Sequence, residues 1–174
     1  MPVHGMPRWT ISIAAWTSVD GPRLGIRYMR DKVFVDTNIL LYVYDRAAGN
    51  KREIASELVR QLWHDGTGAL STQVLQEFYV NVTRKIPRPV SPAEARTIIS
   101  RYLVWHMEVN TGESLVRASE IEERHRLSFW DALIITAAAQ SGAATLLSED
   151  LNHGQVIEGV KIVNPFRSEA ADQP

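Results

Sequence analysis

The stretch Lys32-Val-Phe-Val-Asp36-Thr37-Asn38-Ile-Leu-Leu41 decides how the rest of the chain is read. Val33, Phe34 and Val35 are β-branched or aromatic, as a buried strand requires. The run stops at three polar residues, and Ile39-Leu40-Leu41 resumes as an apolar patch. The pattern is strand, polar corner, helix. In open parallel sheets ligands bind just beyond the carboxyl ends of the strands, so Asp36 is placed where chemistry is done. Asp36, Thr37 and Asn38 are also good helix caps. The tripeptide alone leaves both roles open.

Working outward, the C-terminal side alternates short strands with helices. A short helix is expected over residues 39–44, and a second over 50–63 with Ile54, Leu58 and Leu62 as its apolar stripe. A very short strand covers 69–71. Thr72 then caps a helix over 73–85, with Val74, Phe78 and Val82 inward and Glu77 beside them. Ser91-Pro92-Ala93-Glu94 has the form of a capping box with proline at the first helical position. A third strand is expected over 103–107 and a charged helix over 113–126. Ser128-Phe-Trp-Asp131 opens a helix closed by Gly142. Strands over 145–147 and 160–163 complete the pattern. The expected fold is therefore α/β, a three-layer α/β/α sandwich on a short-stranded parallel sheet.

On the N-terminal side, residues 1–30 read as an extension. Trp9-Thr-Ile-Ser-Ile-Ala-Ala-Trp16 is too short and too poorly flanked for a secretory signal. An edge strand using Ile11 and Ile13 is one option. Another is that Met29 is the true start. The organisation expected is an extension over 1–30, one domain over 31–167 and a tail over 168–174.

Composition narrows the function classes. A chain of 174 residues with 45% hydrophobic and 22% charged residues suits one soluble globular domain. The net charge of −1 gives no bulk field for nucleic acid, so any such contact needs a local patch. With no cysteine, disulfides and thiolate metal sites are excluded and a cytoplasmic home is expected. No apolar run approaches the ~20 residues of a membrane span.

The acids carry the chemistry. Asp36 and Asp150 each follow a short apolar strand, which puts both at one edge of a parallel sheet. Glu77 follows a strand-to-helix turn that opens at the same edge. Asp131 lies in the first turn of a helix that is apolar nearly all round. A carboxylate there costs several kcal/mol unless it is paired or bound to a cation, though a capping role with Ser128 also explains its position. Two carboxylates ~4 Å apart repel by about 4 kcal/mol at an effective dielectric near 20. Such a group needs a counter-cation, and oxygen-only donors suit Mg2+ or Mn2+. Such an ion lowers the pKa of a bound water and clamps a phosphate, as phosphodiester hydrolysis requires.

Four segments in order resemble the motifs of PIN-domain nucleases. They are Val33-Phe-Val-Asp36-Thr37-Asn38-Ile-Leu, Leu70-Ser-Thr-Gln-Val-Leu-Gln-Glu77-Phe, Phe129-Trp-Asp131-Ala-Leu-Ile and Leu147-Ser148-Glu149-Asp150-Leu. The likeness is nearest to the VapC-type toxins of bacterial toxin–antitoxin pairs. The resemblance implies catalytic and metal-binding roles for Asp36, Glu77, Asp131 and Asp150, supported by Thr37, Asn38 and Ser148. It implies a Mg2+- or Mn2+-dependent endoribonuclease acting on structured RNA such as tRNA, leaving a 5′-phosphate and a 3′-hydroxyl. It also implies a homodimer and a cognate antitoxin partner. Many members carry a further Asp where this chain has Leu151-Asn152-His153, and Glu149 competes with Asp150 for the fourth role.

Candidate RNA contacts are Arg84, Lys85 and Arg88 at one helix end, and Arg124 and Arg126 before the Asp131 helix. A solvated charged face explains these five equally well. Trp130 reads as a core aromatic that could otherwise stack a base, and Tyr42 and Tyr44 as a candidate partner surface. The rival classes are a catalytically inactive PIN-like binding or scaffold module and a different metal-dependent phosphohydrolase. Haloacid-dehalogenase-type phosphatases need Asp-x-Asp, which Asp36-Thr37-Asn38 does not supply. No Gly-x-Gly-x-x-Gly corner follows a strand.

Overall fold

A computed structural model describes residues 31–167. The proposed extension, its edge-strand and start-site options, and the tail lie outside those residues. The elements are β1 (Lys32–Val35), α1 (Thr37–Tyr44), α2 (Asn50–Asp65), β2 (Gly68–Ser71), α3 (Thr72–Arg84), α4 (Pro92–Tyr102), β3 (His106–Glu108), α5 (Gly112–His125), α6 (Phe129–Gln140), β4 (Ala143–Leu147), β5 (Val156–Ile157) and β6 (Val160–Val163).

The sheet order is β3-β2-β1-β4-β6-β5. All neighbours are parallel except β5 and β6, which form an antiparallel pair at one edge. Val33, Phe34 and Val35 of β1 and all four residues of β2 are buried, so both faces of the central strands are covered. α6 packs across β2, β3, β4 and β6 and is itself sheltered by α5. Its residues 132–138 are all buried. α1 packs against both α2 and α3, and α2 and α3 also meet β2. Among the described residues no helix is long and apolar enough to cross a membrane.

Chain order reverses between β1 and β4. The chain moves from β1 outward to β2 and β3, then returns to β4 on the other side of β1. That crevice is the topological switch point of the sheet. Val35 pairs with Leu147 there, so the two strands end side by side.

Four local expectations are corrected. The cap of α3 is Ser71, whose hydroxyl accepts the Val74 N–H, and Thr72 is the first helical residue. The inward stripe of α2 is Ala55, Val59 and Leu62, because the helix turns Ile54 and Leu58 to its half-buried flank. The third strand starts at His106; Leu103 ends α4 and Val104 is 74% exposed. The two-residue β5 was missed, since Val156-Ile157 is too short to show any periodicity.

Candidate active site

Asp36 directly follows β1 and caps α1, so the capping role is realised at the same sheet edge where the chemical role was expected. Its Oδ1 accepts the Thr37 N–H at 2.6 Å. Its Oδ2 accepts from Ser148 Oγ at 2.7 Å and from Asn38 Nδ2 at 3.2 Å. The same Asn38 amide donates to Asp150 Oδ2 at 3.0 Å. Ser148, at the end of β4, also accepts the Asp150 N–H. The ends of β1 and β4 are thus laced together by Asn38 and Ser148.

Glu77 joins from α3. Thr37 Oγ1 donates to its Oε2 at 3.0 Å and Gln73 Nε2 to its Oε1 at 2.9 Å. Burial pushes the Asp36 carboxyl up to about 6. The Ser148 and Thr37 bonds oppose the rise, and the nearby charges of Asp150 and Glu77 add to it. Three acids from β1, α3 and the loop after β4 therefore share one electrostatic environment.

Asp131 stands differently. Its Oδ2 accepts from Ser128 Oγ at 2.7 Å, and its N–H bonds the same hydroxyl as the α6 cap. Its link to the other acids is indirect. Gln73, which holds Glu77, also donates to the carbonyl of Trp130 at 3.3 Å. Glu149 points elsewhere: Tyr42 donates to it at 2.5 Å and Lys51 pairs with it. The Lys51 ammonium lies 5.0 Å from the Tyr42 ring centre and 5.4 Å from that of Phe166. Asp150, not Glu149, therefore shares donors with Asp36.

Among the described residues no three Asp, Glu or His side chains stand close enough together to hold an ion as they are placed. The donor set nevertheless fits a hard divalent cation. It is all oxygen, the charges of Asp150 and Glu77 add to the upward push on the Asp36 carboxyl, and Asn38 Oδ1 is buried beside it without a hydrogen-bond partner. Neutral donors (Ser148, Asn38, Thr37 and Gln73) keep the carboxylates oriented and apart.

The comparisons with known proteins bear on this arrangement. The model of the PIN domain matches residues 33–158, most of the chain. The chain belongs to the PIN domain family. Solved structures of the same fold include VapC20 of Mycobacterium tuberculosis, described as a sarcin–ricin-loop-cleaving toxin. It is 23% identical, with a TM-score of 0.54, over 68% of this chain and 92% of that one. A toxin–antitoxin complex from Klebsiella pneumoniae aligns at 17% identity and a TM-score of 0.59, over 79% and 100%. DNA-bound VapBC from Salmonella typhimurium aligns at 15% and 0.53, over 76% and 97%. No curated protein matches the chain.

The PIN fold places the remaining sequence candidates as follows. Arg84, Lys85 and Arg88 are exposed at and beyond the end of α3. Arg84 lies seven residues past Glu77, on the same helix face roughly 10 Å along. Arg124 is held by Glu158 at 2.8 Å, so it is not a free cation, while Arg126 is exposed as the left-handed C-cap of α5. Tyr42 and Tyr44 are half-buried. Tyr42 packs edge-on against Phe166, and Tyr44 against Phe78. Trp130 is 62% exposed, so it is no core aromatic. Sequence reading missed Gln73, a buried polar residue one turn before Glu77. Its i, i+4 spacing to Glu77 was the available signal.

Proposed function

We propose that this chain is a metal-dependent endoribonuclease of the VapC type, the toxin of a toxin–antitoxin pair. One observation carries the reading: in a PIN domain, Thr37 donates to both Asp36 and Glu77 and Asn38 to both Asp36 and Asp150 at the switch point of the sheet, and burial with the charges of Asp150 and Glu77 pushes the Asp36 carboxyl up. Asp36, Glu77, Asp131 and Asp150 would hold Mg2+ or Mn2+. Bound there, the ion would supply an activated water at neutral pH and positive charge for the phosphate oxygens.

The chain's own groups prepare that site. Ser148, Asn38 and the Thr37 N–H fix the Asp36 carboxylate, with Asn38 setting its spacing from Asp150. Thr37 and Gln73 fix both oxygens of Glu77. Ser128 aims Asp131 from the first turn of α6. Preorganised side chains need little rearrangement when charge develops on a substrate. Arg84, Lys85, Arg88 and Arg126 are exposed cations proposed as phosphate contacts, with Arg124 shared with Glu158.

The substrate proposed is structured RNA, with tRNA one candidate, cut to leave a 5′-phosphate and a 3′-hydroxyl. The partners proposed are a cognate antitoxin and a second copy of the chain. The experiment is incubation of purified protein with total RNA and Mn2+ or Mg2+, with the ends sequenced, beside D36N. Metal-dependent cuts absent from D36N are expected. Cuts that persist in folded D36N would sink the proposal. An inactive scaffold module predicts no cuts at all, and a different phosphohydrolase predicts activity on small phosphodiesters but none on RNA.

A further inference from the structure

Trp130 is spent neither on the core nor on holding the acids, yet its backbone is tied to one of them through Gln73. It is the residue before Asp131 in the first turn of α6 and is 62% exposed. Tryptophan is highly buried on average, so an indole left in water one residue before a candidate catalytic acid calls for a partner. The residue is also held firmly. Its carbonyl accepts from buried Gln73, whose amide also orients Glu77. Its ring meets Phe129 edge-on at 5.8 Å and 75°. The neighbouring Ser128 caps the helix.

We propose that Trp130 is a stacking platform for an unpaired nucleobase of RNA bound at the acidic edge. The inference rests on the nuclease reading and deepens it. Every base has an aromatic face, so an exposed indole grips single strands without choosing among sequences. In a duplex those faces are already stacked, so the platform selects looped or single-stranded segments. Gln73 makes the arrangement specific to this site, since one side chain ties the backbone beneath the platform to Glu77. Trp130 thus acts as a positioning residue, placing the strand and not reacting with it.

The test separates binding from cleavage. Tryptophan fluorescence is followed in EDTA as a single-stranded RNA octamer is added, then as the same sequence is added as a duplex. The octamer is expected to quench the wild type. W130F should lose that quenching, and W130A should bind about ten- to hundredfold more weakly. W130Y should restore binding, and W63F, which removes an indole packed against Tyr102 and Trp105, should quench as the wild type does. With Mn2+ added, W130A should raise KM for looped RNA more than it lowers kcat. Unchanged octamer affinity in W130A, or equal quenching by the duplex, would overturn the platform; the exposed indole would then belong to a protein contact. A protein that cuts no RNA under either metal, while Trp130-dependent quenching persists, refutes the nuclease reading and leaves the platform standing.

Discussion

Asp36 dictates how the metal-free protein responds to pH. Its carboxyl is pushed up from 3.8 to about 6, by burial first and by Asp150 and Glu77 second. The folded state therefore holds its proton more tightly than the unfolded chain does. That contribution is fully present below pH ~4 and is lost as pH rises through about 6, amounting to at most about 3 kcal/mol. Urea melts in EDTA between pH 4 and 7.5 should show this loss, and D36N should flatten it. A stability that rises across that window in the wild type, and equally in D36N, would contradict the assignment. Cation binding requires the same proton to leave, so Mn2+ should raise Tm more at pH 7.5 than at pH 5. Asn38 is the second lever. N38A removes the side chain that donates to both Asp36 and Asp150. Cleavage is expected to fall about ten- to hundredfold, by analogy with groups that orient metal ligands. Full activity in N38A would show that the bridge is dispensable.

The elements that carry the acids are set by short-range chemistry. β2 can lie against Trp105 only because Gly68 has no side chain; a Cβ there would stand 2.4 Å from the indole. G68A should cost about 1–3 kcal/mol as overpacking, seen as a lower urea midpoint with an unchanged slope. Ser71 caps α3, the helix that brings Glu77. S71A should cost about 1 kcal/mol and, by loosening the first turn, weaken activity more than stability alone explains. Capping was readable in the sequence where serine meets a following proline and glutamate, as at Ser91 and Glu94, whose reciprocal bonds form. It was misread by one residue at Ser71-Thr72, since either hydroxyl can cap and only the end of β2 decides which is still extended. β3 was misplaced for a similar reason. Leu103 and Val104 look like strand residues, but the end of α4 leaves them on the surface.

For the molecule as a whole, a net charge of −1 leaves RNA attraction to local cations. Arg84, Lys85 and Arg88 form one exposed group past the Glu77 face of α3. Replacing all three with Ala should weaken RNA binding at every sequence. It should also reduce the slope of log affinity against log salt by about 1 for each phosphate that is no longer neutralised. An unchanged slope would return these residues to the role of a solvated face. The same triple variant should keep its Tm, because none of the three side chains is buried.

Local pattern carried the class of fold and the candidate acids. A β-branched run cut by Asp36, and a second strand ending at Ser148-Glu149-Asp150, state where strands stop and acids begin, because burial and turn chemistry act over a few residues. What pattern could not carry was who meets whom. Asn38 reaches Asp150 across 112 positions, and Lys51 reaches Glu149 across 98. Those meetings depend on β4 returning beside β1, a choice made by the packing of the whole sheet. Only that packing tied Asp150 to the donors of Asp36 and Glu149 to Tyr42 and Lys51, set Gln73 between Glu77 and α6, and left Trp130 facing water. Pairings between distant segments leave no periodic trace in the chain.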